Sequence, residues 1–206
     1  IMTVNLSSTS KQIDTILVLD FGSQYTQLIA RRLRELNIYS EVRPWDEVSS
    51  LEDVEGFVLS GGPESSNIDG NPKIDKSIFD SKKPILGVCY GMQVLAYQEG
   101  GEIANEGKKE FGHTEIELKN NSSLFNGIEE KVNVWMSHGD KVKSLPEGYE
   151  IIASSNNSPI AAFQNHSKNH FGLQFHPEVT HTKFGTQIIE NFVERCDIKQ
   201  NWNASD

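Results

Sequence analysis

Cysteine is scarce in this chain, with only Cys89 and Cys196 among 206 residues. The two lie far apart and match no zinc-binding spacing. The sequence does not exclude one disulfide between them. So few cysteines are more typical of a reducing compartment, however, and we expect a cytoplasmic protein. The composition therefore predicts neither a disulfide-stapled fold nor a zinc module.

Long apolar runs and an excess of positive charge are also missing. No apolar run approaches the length of a membrane-spanning helix. Residues 1–13 have no signal-peptide character and are predicted to be a flexible N-terminus. Lysine and arginine number 19 against 29 acidic residues, so the formal charge is −10. This balance argues against nucleic acid or an anionic membrane as a general partner.

What the chain does have is an ordinary globular composition, 36% hydrophobic and 23% charged, at a length that fits one large domain. In the first half, short apolar runs alternate with helical patterns, which predicts an α/β fold with a doubly wound, mostly parallel sheet and flanking helices. Strands are predicted over 15–20, 38–45, 56–63 and 84–89. Helices are predicted over 24–37, 72–81 and 90–99.

The second half differs, because its apolar runs are joined by short connections. This pattern predicts a smaller antiparallel or mixed strand region. Its strands are predicted over 112–119, 133–140, 149–155, 159–164 and 170–176. A closing amphipathic helix is predicted over 183–196.

Cys89 stands on a tight corner in "PILGVCYGMQ", between Gly87 and Gly91. A predicted strand precedes it and a predicted helix follows, which is the arrangement of a nucleophile elbow. The carboxyl end of a central strand is where open α/β sheets bind ligands. The helix beginning at Tyr90 would point its amides and positive dipole end at the sulfur, which favours a thiolate and an oxyanion. The alternative is a buried, inert cysteine.

A catalytic cysteine needs a base, and His176 is the strongest candidate among six histidines. It follows an apolar run and precedes Pro177, which stiffens the connection to Glu178. Such a strand end can present both side chains to one site, where the carboxylate orients the imidazole. A structural histidine is the alternative interpretation.

The remaining histidines are weaker candidates. His138, in "MSHGD", is predicted to lie in a loop after a strand, where it can line a pocket. His166 and His170 are predicted to be solvated in a polar turn. His113 and His181 have no sequence context that suggests a role.

A glycine pair in "SGGP" (60–63) ends the third predicted strand. Glycine lets the backbone approach a ligand closely, and an oxyanion donor would come from Gly61 or Gly62 because Pro63 has no N–H. An ordinary glycine turn is the alternative. Together with the nucleophile, the base and the orienting carboxylate, this loop meets the requirements for acyl transfer.

Three motifs, "SGGPES", "GVCYGMQ" and "GLQFHPE", together resemble the class I glutamine amidotransferase family. The resemblance covers about residues 14–196, which it implies are the amidotransferase domain. "LDFGSQYTQLIARRLRE" and "WMSHGDKV" resemble more particularly the amidotransferase domain of glutamine-hydrolysing GMP synthetases. The resemblance implies hydrolysis of the side-chain amide of L-glutamine, with no metal and no cofactor in this chain.

The family pattern also implies a role for each matching residue. Cys89 is the implied nucleophile, His176 the base and later the acid, and Glu178 the residue that orients His176. The backbone amides of Gly62 and Tyr90 are the implied oxyanion hole. The implied substrate-binding residues are Gln93, Ser137, His138, Gly139 and Asp140.

The resemblance further implies a partner for this chain. In glutamine-hydrolysing GMP synthetases, ammonia passes to an ATP-pyrophosphatase domain or subunit that aminates xanthosine monophosphate (XMP), so ATP and Mg²⁺ are expected only there. This chain has no pyrophosphate-binding S-G-G-x-D-S loop. Residues 197–206 are then expected to be a tail or the start of a linker to that synthetase. Residues 60–72 and 137–140 are predicted to be mobile segments that a partner orders.

Other functions stay open at this stage. An amidotransferase of anthranilate or carbamoyl phosphate synthesis would share the triad, although "FGSQYTQ" and "SHGD" argue against it. A non-catalytic module would share the fold. A redox thiol protein would use Cys89, but no resolving cysteine stands near it in the sequence.

Overall fold

The structure is a computed structural model that describes residues 13–48, 50–62, 73–198 and 202, without the side chains of 106–108. Several predicted features lie outside these residues. They are most of the N-terminal segment 1–13, Pro63 and the rest of the segment predicted to be mobile up to residue 72, and most of the tail 197–206.

One mixed sheet of nine strands forms the centre of the described structure. Its strands are β1 Thr15–Asp20, β2 Tyr39–Pro44, β3 Val54–Leu59, β4 Ile85–Val88, β5 Glu102–Leu118, β6 Lys131–Ser144, β7 Glu150–Ser154, β8 Ala162–Asn165 and β9 His170–Leu173. The α-helices are α1 Thr26–Glu35, α2 Lys76–Asp80, α3 Tyr90–Gln98 and α4 Gly185–Arg195, and a short 3-10 helix spans Ser123–Phe125.

The strand order is β2-β1-β3-β4-β9-β8-β7-β5-β6. Neighbours from β2 to β9 are parallel. Neighbours from β9 to β6 are antiparallel. The predicted fold class, a doubly wound sheet with an antiparallel region from the second half, is confirmed. Strand β9 joins the two parts, because it pairs in parallel with β4 and antiparallel with β8.

Both faces of the parallel part are covered by helices. Ile16 and Val18 of β1 pack in one cluster with side chains of α1 and α4. Leu17 and Leu19 pack in the opposite cluster with side chains of α2 and α3. This alternation is the period of two that a strand imposes on its side chains, and it explains why "TILVLD" is apolar throughout.

Parallel pairing also gathers four connections at one edge of the sheet. Strands β1, β3, β4 and β9 are neighbours that run in the same direction. The segments that follow their carboxyl ends therefore meet, and these segments begin at residues 21, 60, 89 and 174. This edge is where the sequence predicts the functional residues.

The prediction that His170 is solvated is wrong. His170 begins β9 and is 2% exposed, whereas His166 is exposed as predicted. The His170 Nδ1 atom lies 2.5 Å from the Tyr149 hydroxyl oxygen and 3.5 Å from the Glu99 carboxylate. The polar residues around His170 suggested a solvated turn. His170 is buried instead because β9 is short and lies between two other strands.

Burial of His170 predicts a loss of stability in mild acid. Burial lowers the pKa of this imidazole to about 4, although Glu99 opposes the shift. The unfolded value is about 6.5, so the folded state gains its full stability above that pH and loses it as the pH falls toward 4. We expect a loss of about 2–3 kcal/mol over this window.

Urea unfolding of the wild type and His170→Gln at a series of pH values measures this effect. We expect His170→Gln to flatten the pH dependence and the matched exposed variant His166→Gln to keep it. An unchanged slope in His170→Gln would show that other groups set the acid limit.

Candidate active site

Cys89 occupies a strained corner between β4 and α3. Its backbone angles are φ 54° and ψ −109°, in a region that side-chain-bearing residues rarely adopt. Its N–H donates to the Leu173 carbonyl at 2.7 Å, which ties the corner to β9. A Cβ at Gly91 would overlap the Leu59 carbonyl oxygen, and one at Gly87 would lie 2.7 Å from the Gly91 oxygen. The flanking glycines therefore let the backbones of the strand and the helix touch.

The Cys89 sulfur is enclosed by three polar neighbours. Its side chain is 4% exposed. The sulfur lies 3.3 Å from the Ser137 carbonyl oxygen and 3.6 Å from Nε2 of Gln174. The third neighbour is the imidazole of His176, whose pKa the Cys89 side chain helps to raise. The thiol is thus placed for proton exchange with a base.

His176 and Glu178 form the other half of the site. The His176 Nδ1 atom lies 3.1 Å from Glu178 Oε2, and the two side chains are 3% and 0% exposed. The backbone around them is held at three points. The His176 N–H donates to the Trp135 carbonyl at 3.1 Å, and its carbonyl accepts from the Thr182 hydroxyl at 2.6 Å. The Arg32 Nε atom donates to the Glu178 carbonyl at 2.9 Å.

The electrostatics of this group favour a charged imidazole. Burial alone lowers the pKa of His176, but the charges of Glu178 and Cys89, with a hydrogen bond to each, raise the pKa well above 6.5. These charges therefore favour an imidazolium beside the sulfur. Because Nδ1 faces Glu178, Nε2 is the ring nitrogen left to serve Cys89.

The end of β3 brings the predicted oxyanion loop against this group. A Cβ at Gly61 would lie 3.2 Å from Cε1 of His176, and one at Gly62 would lie 2.6 Å from the Tyr90 ring. Glycine at both positions therefore lets the loop backbone reach the triad. The oxyanion role of the Gly62 and Tyr90 amides stays a prediction.

A cavity of about 230 Å³ opens beside the triad. It is smaller than the usual site for a drug-sized ligand, which suits a small substrate. The Tyr25 ring packs edge-on against the His176 ring, with centroids 5.0 Å apart. The sequence did not single out the segment after β1 as a site, yet that segment supplies most of the wall. The lining residues are Gly22, Ser23, Gln24, Tyr25, Gly62, Ser137 and His176.

The prediction that "SHGD" is a mobile loop is wrong, because Ser137–Asp140 lie inside strand β6. Of the four, only Ser137 lines the cavity beside the triad. His138 is buried, with Nδ1 2.9 Å from the Asp140 carbonyl oxygen and Nε2 2.8 Å from Glu110 Oε1. His138 and Gly139 line a different cavity, at the β5–β6 hairpin. Substrate binding by these residues stays a prediction.

Gln93 sits beneath the site and does not line the cavity. It is 2% exposed, and its Nε2 donates to the Asp140 carbonyl at 2.8 Å and to Gln174 Oε1 at 3.4 Å. These hydrogen bonds do not test the prediction that Gln93 binds the substrate. They do connect Gln93, through Gln174, to the sulfur of Cys89.

Sequence reasoning missed Gln174 and the surroundings of two histidines. A signal for Gln174 was present, since it is the one polar residue within the apolar run "FGLQF". His113 and His181 pack against the Trp135 ring, with centroid distances of 5.4 and 4.5 Å.

In the part of the chain that the structure describes, no three His, Cys, Asp or Glu side chains are placed to hold a metal ion. No helix in that part is long and apolar enough to cross a membrane.

Comparison with known proteins agrees with this geometry. Residues 17–196 match the family model described as glutamine amidotransferase class-I. The chain belongs to the class I glutamine amidotransferase family. In this family member, the matched region spans the sheet from β1 to β9 and the closing helix α4.

Several relatives of this amidotransferase chain carry one name. It is 49% identical over 197 residues to a glutamine-hydrolysing GMP synthase of Brachyspira hyodysenteriae, covering 93% of this chain and 38% of that protein. It is 50% identical over 197 residues to one of Debaryomyces hansenii, covering 94% and 37%. The chain thus spans less than two fifths of the length of these relatives.

One solved structure is similar over nearly its whole length. It is a Thermoplasma acidophilum protein described as one subunit of a GMP synthase, with a TM-score of 0.79 and 33% identity, covering 91% of this chain and 96% of that one. A glutamine amidotransferase of Thermotoga maritima, with a TM-score of 0.67 and 21% identity, shares the fold over 89% of this chain and 82% of that one.

Proposed function

We propose that this chain hydrolyses the side-chain amide of L-glutamine and delivers ammonia for the conversion of XMP to GMP. The observation that carries the proposal is the buried group of Cys89, His176 and Glu178 at the carboxyl ends of β4 and β9. Support for the particular reaction comes from relatives, about half identical, that are named glutamine-hydrolysing GMP synthases.

The reaction follows from the positions of these groups. The Cys89 thiolate attacks the amide carbon of glutamine, and the Gly62 and Tyr90 amides hold the oxyanion. The His176 imidazolium gives its proton to the departing nitrogen, so ammonia leaves and a γ-glutamyl thioester remains. Neutral His176 then takes a proton from water, which attacks the thioester and releases glutamate. Throughout, Glu178 stabilises the imidazolium and fixes its orientation.

The ammonia requires a partner that activates XMP. We propose an ATP-pyrophosphatase synthetase, on the same chain or on a separate subunit, which supplies the ATP and Mg²⁺ chemistry. Residues 14–196 then act as the amidotransferase domain. Beyond α4, the Trp202 N–H donates to the Asn37 carbonyl at 3.0 Å and its ring packs 5.6 Å from that of Tyr39. These two contacts place Trp202 at the α1–β2 corner.

Other functions are less well supported. Amidotransferases of anthranilate or carbamoyl phosphate synthesis share the triad, but the Brachyspira and Debaryomyces relatives are named for GMP synthesis. A non-catalytic module has no need of a buried imidazolium beside a thiol.

Both cysteines are free, which supports the proposed cytoplasmic location.

The proposal predicts that a synthetase partner stimulates glutamine turnover. We expect ammonia release by the chain alone to be slow, and to rise about 10²-fold or more with the ATP-pyrophosphatase domain, ATP and XMP. The physical reason is that one correctly aligned oxyanion donor, here the Gly62 amide, contributes a factor on the order of 10²–10³. Stimulation by XMP is the measurement that separates this pathway from the alternatives.

Three outcomes would contradict parts of this proposal. Equal turnover with and without the partner would rule out gating. Stimulation by an anthranilate or carbamoyl phosphate partner, and not by XMP, would assign another pathway. No ammonia release under any condition would overturn the enzymatic function.

A further inference from the structure

Gln174 is a buried polar side chain at the nucleophile that the proposed glutaminase chemistry does not use. It follows β9 and is 0% exposed. Its backbone N–H donates to the Ala161 carbonyl at 2.8 Å, so the chain path at this point does not depend on the side chain. The side-chain amide instead lies between Cys89 and Gln93, with Nε2 3.6 Å from the sulfur and Oε1 3.4 Å from Gln93 Nε2.

The direction of these hydrogen bonds is fixed by a backbone carbonyl. The amide of Gln93 lies 2.8 Å from the Asp140 carbonyl oxygen, which accepts and never donates. The atom of Gln93 that faces it must therefore be the NH₂ group. The second hydrogen of that NH₂ reaches the amide of Gln174, which must present its oxygen. The NH₂ group of Gln174 is then left for the sulfur.

We infer that Gln174 is a further catalytic residue, which donates an N–H to the Cys89 sulfur, and that Gln93 is the positioning residue that sets its direction. The inference rests on the proposed function, because it assigns both glutamines to the same nucleophile. A donor to a buried sulfur stabilises the thiolate over the thiol. The amide therefore assists the step in which the thiolate forms.

This donor differs from the imidazolium in one respect. His176 gives its proton to the leaving nitrogen, so its charge is absent while the thioester stands. An amide N–H has no accessible deprotonated form at neutral pH, so Gln174 faces the sulfur at every stage. We expect Gln174 to stabilise the thiolate a second time, when the sulfur departs on hydrolysis of the thioester.

The test is the rate of alkylation of Cys89 by iodoacetamide as a function of pH, in a Cys196→Ala background so that one thiol reacts. We expect Gln174→Leu to move the midpoint of the curve upward by about one pH unit, since a hydrogen bond to a charged group is worth about that much. Gln174→Glu should move it further, because one carboxylate oxygen accepts from Gln93 and the other faces the sulfur. Gln93→Leu should give a smaller shift, because the Gln174 amide is then free to turn.

Gln164 offers a matched control. It is another buried glutamine, 4% exposed, and its Nε2 donates to Glu150 on the neighbouring strand β7. Gln164→Leu should lower the melting temperature and leave the alkylation curve in place. Melting temperatures of all variants identify any that do not fold, and Gln174→Glu and Gln93→Leu carry the test if Gln174→Leu is among them.

The outcomes separate this inference from the proposed function. Folded Gln174→Leu and Gln174→Glu proteins with the wild-type curve would overturn the inference, even where the wild type hydrolyses glutamine. A shifted curve in Gln174→Leu, together with no ammonia release by the wild type and its partner, would support the donor and overturn the glutaminase. Equal shifts in the Gln164→Leu control would show a general effect of burial and overturn the inference.

Discussion

Cys89→Ala is expected to lower glutamine turnover by on the order of 10⁴-fold or more, measured as ammonia release with the synthetase partner present. The thiolate forms the covalent bond, and no other described side chain occupies its place. Alanine keeps the Cβ and the same strained backbone, so the elbow and the fold should persist. A γ-glutamyl thioester, trapped by acid quench and detected by mass, should form in the wild type and be missing from the variant.

Cys196→Ala is the matched control, because it removes the only other thiol. Cys196 is 4% exposed at the C-terminal end of α4, and burial raises the pKa of its thiol, so it is unreactive. We expect wild-type turnover in Cys196→Ala, with a loss of about 1 kcal/mol in the free energy of unfolding. Near wild-type turnover in Cys89→Ala would remove the nucleophile assignment and with it the proposed chemistry.

Replacement of the base is expected to lower glutamine turnover more than replacement of the residue that orients it. His176→Ala should lower turnover by on the order of 10⁴-fold. Glu178→Gln should lower it less, by on the order of 10²-fold, because the amide oxygen can still accept from Nδ1 while the stabilising charge is lost. A loss in Glu178→Gln equal to that in His176→Ala would indicate direct proton transfer by Glu178.

The pH profile gives this prediction a second, independent measurement. Glu178 is one of the charges that raise the pKa of His176, so the wild-type imidazolium persists well above pH 6.5. Without that charge the pKa of His176 falls, and the alkaline limb of activity should move to lower pH. Glu35→Gln is a control at an exposed carboxylate that pairs with Arg32 at 2.6 Å, and it should leave the profile unchanged.

The parts of the site that sequence predicted are those that depend on local backbone geometry. The corner at Cys89 was predictable because glycines on both sides, between an apolar run and a helical pattern, are typical of a sharp strand-to-helix turn. The His176–Glu178 pair was predictable because a proline fixes a short connection. The resemblance to a family then supplied glutamine as the proposed substrate, which no local pattern contained.

The parts that sequence missed depend on long-range pairing. In β6, alternate side chains from Val132 to Val142 are buried, and two of them, His138 and Asp140, are polar. Those two break the apolar alternation and mimic a loop, although Glu110 on β5 partners the imidazole. Tyr25 reaches His176 only because β1 and β9 end at the same edge of the sheet, which no spacing along the chain reveals.

The glycines of the elbow also determine how this chain can lose and regain its activity over generations. Alanine and serine have the same Cβ as cysteine and add no bulk to the strained corner, so a descendant with either residue at position 89 should keep the corner, and one substitution restores the nucleophile. Position 91 differs, because any side chain there strikes the Leu59 carbonyl and displaces α3 from β3. A return to cysteine no longer suffices once the helix has moved. Inactive descendants should therefore keep Gly87 and Gly91 after losing Cys89, and the glycine pair would mark their ancestry better than the cysteine.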